Sequence, residues 1–258
     1  MLGTGSRRPV DGNRMGGTKS SLAVLVAVAA LGWWVFDGST TRTLHCRRTF
    51  TVDTPEGQRL GSSVVDDSIY FPGGLARAQG YGVFSKAHGE ATVIDLGARG
   101  LLFATLADEA RLRNAVAHGT SFGCQTPFPR EKFHGKTDAG VSPNGEYAAY
   151  FDGLNAQKPK GDVPFQYLPM FVRFRDLHDP ASVEQVDPSD LAASFGAGVK
   201  FERMSIEITD APASKTIEAV LPWLASPHSQ RLSSRSLALT DNPAVELLDF
   251  TDFRRLPL

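Results

Sequence analysis

The chain has 258 residues, of which 41% are hydrophobic and 21% charged, and its formal net charge is −1. This neutral balance argues against nucleic acid as a general partner, because phosphate binding needs clustered Lys and Arg side chains. About 215 residues follow the N-terminal apolar run, enough for one large domain or two small ones.

An uncharged run at residues 20–36, SSLAVLVAVAALGWWVF, is the most distinctive segment of the chain. As a helix it would be roughly 25 Å long, near the lower limit for crossing a bilayer. Basic residues precede it, and Trp33 and Trp34 close it, where aromatic rings favour the headgroup region. The run therefore predicts a single transmembrane anchor.

The basic leader sets the predicted orientation, because positive residues mark the cytoplasmic side. The leader carries four basic residues and three follow the span closely, while Asp37 and the short leader also favour a cytoplasmic N-terminus. We predict a cytoplasmic leader at 1–19, an inner-membrane (cytoplasmic-membrane) anchor at 20–36 and a periplasmic body at 43–258. Met15 is an alternative start, which would remove three of the four leader charges.

Two alternatives to the anchor exist. Ala27-Val28-Ala29 matches the small-x-small pattern of a signal-peptide cleavage site, but cutting there would leave only Leu22–Val26 as the apolar region. A buried core helix is the other alternative, and the Gly- and Arg-rich leader gives such a helix little to pack against.

The chain has two cysteines, Cys46 and Cys124. Outside the cytoplasm they could pair, and the alternative is two separate buried thiols. Spacing along the sequence does not decide between them, because a disulfide depends on the Cα distance.

The body opens with a predicted hairpin. Arg48–Asp53 alternates as a strand, Thr54-Pro55-Glu56-Gly57 has the residues of a turn, and Gln58–Val65 returns. We expect Asp66-Asp67 to be a solvated turn at the start of a long connection over residues 66–87.

A second predicted hairpin joins Gly89–Leu96 to Leu101–Leu106 across residues 97–100. Both strands have apolar residues on both faces, which is typical of central strands. Asp108–Ala117 has the pattern of a short helix capped by Asp108, and residues 118–141 are predicted to form a loop.

A further helix is predicted to begin at Ser142-Pro143, because its apolar side chains recur at helical spacing. Lys158–Val163 is polar and is predicted to be a flexible connection, and Leu168–Arg175 alternates as a strand. The apolar stripe of the helix consists of Tyr147, Tyr150, Phe151 and Leu154.

The C-terminal half contains a predicted helix, a strand and a second helical stripe. Asp187, followed by Pro188, is predicted to be the N-cap of the helix, and Gly196 is predicted to end it. Val199–Thr209 changes its apolar phase midway, which predicts a β-bulge near Glu202-Arg203. The helical stripe consists of Ile217, Val220, Leu221 and Leu224.

The order of these elements predicts an α+β fold: one body with a mainly antiparallel sheet and inserted helices, after the single N-terminal transmembrane helix. One domain is favoured over two, since Lys158–Val163 is the only plausible linker.

The C-terminal half contains a string of short motifs: Phe174-Arg175-Asp176, Asp179-Pro180, Ser182-Val183, Val186-Asp187-Pro188, Asp190-Leu191-Ala192, Phe195-Gly196, Gly198-Val199, Ile206-Glu207-Ile208-Thr209-Asp210 and Leu221-Pro222-Trp223-Leu224. Together these motifs resemble an uncharacterised family of single-span, membrane-anchored proteobacterial proteins, in which a Thr-Pro-Glu-Gly hairpin also follows an N-terminal span. No activity is known for that family, so the resemblance implies no catalytic residues.

No pattern of residues predicts a cofactor or a metal site. Ser121 lies in a G-x-S-x-G match, but a helical pattern precedes it and Pro127 and Pro129 follow, the reverse of a nucleophile elbow. The histidines are dispersed without a zinc motif, and the acidic residues from Asp176 to Asp190 lack the spacing of a calcium loop.

The two long loops are the predicted contact surface, because compact domains seldom hold such loops without a binding role or disorder. Packing of their rings onto the domain itself is the alternative. We predict an anchored binding or assembly module of the cell envelope with a protein partner; an anchored hydrolase using Ser121 or a carboxylate pair is the alternative function. The predicted binding residues are Tyr70, Phe71, Tyr81, Phe128, Arg130, Lys132 and Phe133.

Overall fold

The chain divides into two units, residues 1–40 with 71–82 and residues 41–70 with 83–258. In the first unit, residues 24–32 are helical and their large apolar side chains are exposed. Among the described residues, no helix is both long enough and apolar enough to cross a membrane. The structure, a computed structural model, describes residues 24–32, 40–73, 79–80, 83–108, 123–133, 143–225, 248 and 250–255.

The body is α+β with antiparallel sheets, as predicted. The strands are β1 (Thr40–Thr54), β2 (Gly57–Phe71), β3 (Phe84–Glu90), β4 (Thr92–Asp95), β5 (Leu101–Asp108), β6 (Lys160–Asp162), β7 (Pro169–Phe174), β8 (Val183–Val186), β9 (Lys200–Thr209) and β10 (Arg254–Arg255). A large sheet has the strand order β10-β3-β2-β1-β9-β6, and a smaller sheet has the order β4-β5-β7-β8.

Short helices connect the strands. The α-helices are α1 (Arg130–Phe133), α2 (Pro143–Gln157) and α3 (Leu191–Phe195). The 3₁₀ helices are Gly97–Arg99, Phe165–Tyr167, Pro180–Ser182, Ile217–Ala219, Pro222–Ala225 and Phe250–Asp252.

The predicted first hairpin is confirmed and is longer than expected. It turns at Pro55 and Glu56, where the Thr54 hydroxyl donates to the Gly57 carbonyl at 2.7 Å. The predicted connection over 66–87 was wrong at both ends, because β2 continues to Phe71 and β3 begins at Phe84. Asp67 is only 2% exposed, so the predicted solvated turn at Asp66-Asp67 was also wrong.

The two sheets pack face to face. Phe50 of β1 meets Phe171 of β7 edge to face, with ring centroids 5.7 Å apart. Gly61 permits this approach, because a Cβ on it would lie 2.4 Å from the Val93 carbonyl oxygen. A cluster beneath the smaller sheet includes Phe103 and Phe253, both fully buried.

The second predicted hairpin is confirmed as β4 and β5, but its first strand was predicted too long. Residue 91 separates β3 from β4, and its amide donates to the Phe253 carbonyl at 2.8 Å. Asp108 is the last residue of β5, and the rest of the predicted helix at 108–117 lies outside the described residues.

The helix predicted from the aromatic stripe is confirmed as α2. Its side chains Tyr150, Phe151 and Leu154 are at most 1% exposed. The side-chain Nδ2 of Asn155 donates to the Thr43 carbonyl of β1 at 3.1 Å, so α2 packs beside the beginning of that strand. The predicted flexible connection at 158–163 instead contains β6.

The bulge predicted in β9 is confirmed. Thr51 pairs with Arg203 and Val52 pairs with Phe201, which leaves Glu202 as the extra residue. The bulge keeps Met204 and Phe201 on the side of β9 that faces the smaller sheet, because an extra residue restores the alternation.

Two helix predictions need correction. The N-cap of α3 is Asp190, which accepts from the Ala193 amide at 3.1 Å, whereas Asp187 accepts from the amide and hydroxyl of Ser189. The stripe from Ile217 forms two 3₁₀ turns rather than an α-helix, since the proline at residue 222 lacks the amide that a continuous helix needs.

Candidate functional site

The hairpin of β1 and β2 has two chemically different faces. The inner face packs against the rest of the body and includes Leu44, Cys46, Phe50 and Val65, all at most 1% exposed. We call the opposite side the outer face. It consists of Thr41, Thr43, His45, Arg47, Thr49, Thr51, Asp53, Gln58, Leu60, Ser62, Val64, Asp66, Ser68 and Tyr70 on the hairpin, Phe84, Lys86 and His88 on β3, and Arg203, Ser205, Glu207 and Thr209 on β9.

Polar side chains bridge β1 and β2 along the outer face. The four bridged pairs share one antiparallel register, because each step forward along β1 is matched by an equal step backward along β2. Thr51, Val64 and Ser205 are buried, and most other residues of this face are partly or fully exposed. The bridged pairs are Thr43–Ser68 at 2.9 Å, His45–Asp66 at 2.6 Å, Thr49–Ser62 at 3.4 Å and Asp53–Gln58 at 3.1 Å.

Asp66 lies between two histidines in adjacent strands. Its Oδ1 bonds His45 Nδ1 at 2.6 Å, and its partner across the other strand interface is His88. Burial is the main cause that lowers the pKa of His88, and the nearby Lys86 lowers it further. Within the described part of the chain, His88 Nε2 is buried without a hydrogen-bond partner.

The His45–Asp66 pair has the chemistry of an oriented imidazole, in which a carboxylate fixes the ring and the other nitrogen is left for a proton or a ligand. No hydroxyl of the described residues bonds the second nitrogen of His45. No group of three His, Cys, Asp or Glu side chains suited to hold a metal ion occurs among the described residues.

An aromatic stack closes one end of the outer face. The rings of Tyr70 and Phe84 are 6.2 Å apart and nearly parallel, and the two residues are 37% and 51% exposed. Lys86, the next residue of β3 on the same face, is exposed. Phe84 falls in the connection predicted over residues 66–87, because β3 consists largely of polar and small residues and shows no clear apolar alternation.

A disulfide lies beneath the inner face. Cys46 and Cys124 are bonded with a Cα distance of 5.7 Å and are both fully buried, which resolves the alternatives that the sequence left open. The amide of Cys124 donates to Asp67 Oδ2 at 3.2 Å, and the Ser85 hydroxyl donates to Asp67 Oδ1 at 2.9 Å.

Burial is the main cause of the pKa shifts of the two ionisable groups in this inner cluster. It raises the pKa of Asp67, although the bonds from Ser85 and Cys124 and the nearby Arg48 oppose the shift. Burial also lowers the pKa of Arg48 to about 10, with the Asp67 carboxylate as the main opposing influence. Burial thus disfavours the charged forms of Asp67 and Arg48, and removal of a hydrogen-bond partner from such a buried group is costly.

The structure separates the residues that were predicted to bind. Phe71 and Phe128 are 4% and 5% exposed, so both rings lie in the interior. For Phe128 this agrees with the alternative that the rings of the second loop pack onto the domain itself. The Tyr150 hydroxyl donates to the Phe128 carbonyl at 2.5 Å, which ties this segment to α2. Tyr81 and Ser121 lie outside the described residues.

The other predicted residues of the second loop lie on α1. Arg130 and Lys132 are exposed, and the Arg130 guanidinium lies 4.1 Å from the centroid of the Tyr147 ring. Phe133 is half-buried, and its ring lies 5.6 Å from that of Phe128. The exposed part of this predicted surface is therefore basic rather than aromatic.

Comparisons of this chain with protein-family models, with curated proteins and with solved structures each gave no match.

Proposed function

We propose that this protein is a membrane-anchored, extracytoplasmic binding or assembly module of the cell envelope, and that the outer face receives a protein partner. The observation that carries the proposal is the outer face itself, where polar pairs recur along the hairpin and most side chains are partly exposed. Hydroxyls, an imidazole and paired charges can exchange hydrogen bonds with a partner without a large desolvation cost.

The disulfide supports the extracytoplasmic location. Disulfides form and persist in oxidising compartments and are rare in the cytosol. Cys46 and Cys124 are 78 residues apart in sequence, so their bond closes a long loop, and both are fully buried. The exposed apolar side chains of residues 24–32 support the anchor, since such a helix needs an apolar surrounding.

Site-specific photocrosslinking in living cells tests the binding role. A benzoylphenylalanine at position 62 replaces an exposed serine at the centre of the outer face, and one at position 166 replaces an exposed glutamine outside that face. We expect irradiation to give an adduct of discrete mass from position 62 and none from position 166.

Equal labelling from the two positions, or no adduct from position 62 in protein recovered from the membrane fraction, would contradict the proposed face. The same full-length chain, fused after Leu258 to a reporter active only in the periplasm, checks the topology. An inactive reporter together with an active cytoplasmic one would reverse the proposed orientation.

A further inference from the structure

We infer that the Tyr70–Phe84 stack docks the body against the headgroup region of the bilayer that holds the anchor. This inference rests on the proposed function, because it takes residues 20–36 as the membrane span. It assigns the aromatic end of the outer face to lipid and leaves the rest of that face for the partner.

The length of chain between anchor and body carries the argument. The predicted span ends at Phe36, and β1 begins at Thr40. Four residue steps extend at most about 14 Å, so the first residues of β1 cannot lie far from the membrane surface. A body on so short a connection necessarily has one end beside the lipid headgroups.

The register of the large sheet identifies which side chains share that end. Thr43 bonds Ser68, so two residues further along the hairpin Thr41 lies beside Tyr70, and Tyr70 pairs with Phe84. Adjacent strands are about 4.8 Å apart, which places the Phe84 backbone roughly 10 Å from that of Thr41 along the same row. The stack thus lies at the end of the sheet where the chain leaves the anchor.

The chemistry of this end suits a bilayer surface. Amphipathic rings favour the headgroup region, and exposed lysines beside them attract anionic lipids. Tyr70 and Phe84 keep 37% and 51% of their surface exposed, and Lys86 follows on the same face. A protein partner or a second copy of the chain is the competing occupant of this surface, and the experiment below separates them.

The opposite end of the sheet provides a matched control. β6 pairs with β9 and runs away from the end of the sheet that contains Thr41. After β6, the centroid of the Phe165 ring lies 6.4 Å from that of Phe201, which pairs with Val52. Eleven residue steps of extended strand lead from Thr41 to Val52, a distance of roughly 35 Å. Gln166 is exposed at that far end and is the control position.

Fluorescence quenching in nanodiscs tests the inference with the full-length chain, one copy per disc. A fluorophore is attached to Lys86→Cys or to Gln166→Cys, which is selective because the two native cysteines are bonded and buried. The discs contain phosphatidylethanolamine and phosphatidylglycerol with a lipid that carries a nitroxide on its headgroup. We expect quenching of about two-fold or more at position 86 and almost none at position 166.

The rings are then removed in the protein labelled at position 86. Phe84→Ser with Tyr70→Ser should abolish most of the quenching, and Phe165→Ser, which removes an equally exposed ring at the far end, should leave it unchanged. If the double variant loses the native circular dichroism, Phe84→Ser alone is used, and a partial loss of quenching is expected.

No quenching at position 86 in discs that hold the protein would overturn the inference and favour a protein occupant. Quenching that persists unchanged without the rings would overturn it as well. A chain that does not incorporate into discs refutes the anchor and hence the proposed function, so the two failures are distinguishable.

Discussion

Successive residues of the first hairpin point to opposite faces, and the two faces have different chemistry. The inner face holds a buried disulfide and the buried side chains of Arg48 and Asp67, beside apolar side chains. The outer face holds short hydroxyl side chains and the partly exposed pair of His45 and Asp66. The contrast teaches that one pair of strands can place its buried, covalently linked contacts on one face and its exposed, hydrogen-bonded side chains on the other.

Deletions in β9 break the comparison most strongly. Deleting Ser205 shifts the strand by one residue, so that Met204 turns outward and Arg203 inward, and we expect a loss of about 4 kcal/mol or more. Deleting Glu202, the extra residue of the bulge, keeps Met204 and Arg203 on their original faces. It should lower the free energy of unfolding by only about 1 kcal/mol. Urea denaturation of the detergent-solubilised chain measures both, and equal losses would contradict the assigned register.

Removal of the disulfide tests the inner face alone. Cys46→Ala with Cys124→Ala should lower the free energy of unfolding by about 4 kcal/mol, because the bond closes a loop with a sequence separation of 78 residues. Reduction of the unaltered protein by dithiothreitol under denaturing conditions should give a similar loss. An unchanged denaturation midpoint in the double variant would mean that the bond contributes nothing to the inner face.

Much of this face pattern could be predicted from the sequence. The turn residues of Thr54–Gly57 fixed the hairpin, and the change of apolar phase within 199–209 located the bulge. Both signals are local, because turn chemistry and alternation act between residues a few positions apart.

The remaining features depend on contacts between distant residues. Two adjacent aspartates are typical of a turn, but Asp67 is buried and accepts hydrogen bonds from Ser85 and Cys124. Both partners are distant in sequence, so no local pattern predicts these bonds. The disulfide depends on a Cα distance, and the stack of Tyr70 and Phe84 depends on strand pairing across an intervening segment. The candidate site was therefore predicted only in part, through Tyr70.

Adjacent aspartates on opposite faces sharpen the comparison. Asp67→Asn should cost about 2 kcal/mol, because the new amide has a single acceptor oxygen and leaves the Ser85 hydroxyl or the Cys124 amide without its bond. Asp66→Asn, on the partly exposed pair with His45, should cost less than about 1 kcal/mol. Thermal unfolding of the two variants in parallel measures the difference.

The pH dependence of Asp67→Asn has a defined sign. Burial raises the pKa of Asp67 in the folded protein, so the stability linked to this group is complete below its unfolded pKa and declines as the pH rises through its folded pKa. The asparagine variant lacks this decline. The deficit of the variant should therefore be largest in acid and shrink as the pH rises through the carboxyl range; a deficit that grows with pH would contradict the assignment.

The smallest effect on stability is expected where the effect on binding should be large. Thr49 and Ser62 share a 3.4 Å hydroxyl contact on the outer face, and neither side chain is buried. Thr49→Val with Ser62→Val should change the free energy of unfolding by only about 0.5 kcal/mol, because valine suits a strand and the lost hydrogen bond is solvated. The same variant should lose most of the crosslinked adduct, collected from a benzoylphenylalanine at position 47, since a partner would meet methyl groups in place of hydroxyls. A loss of stability above about 2 kcal/mol would mean that the outer face is covered within the protein itself, and the two faces would then differ in composition but not in role.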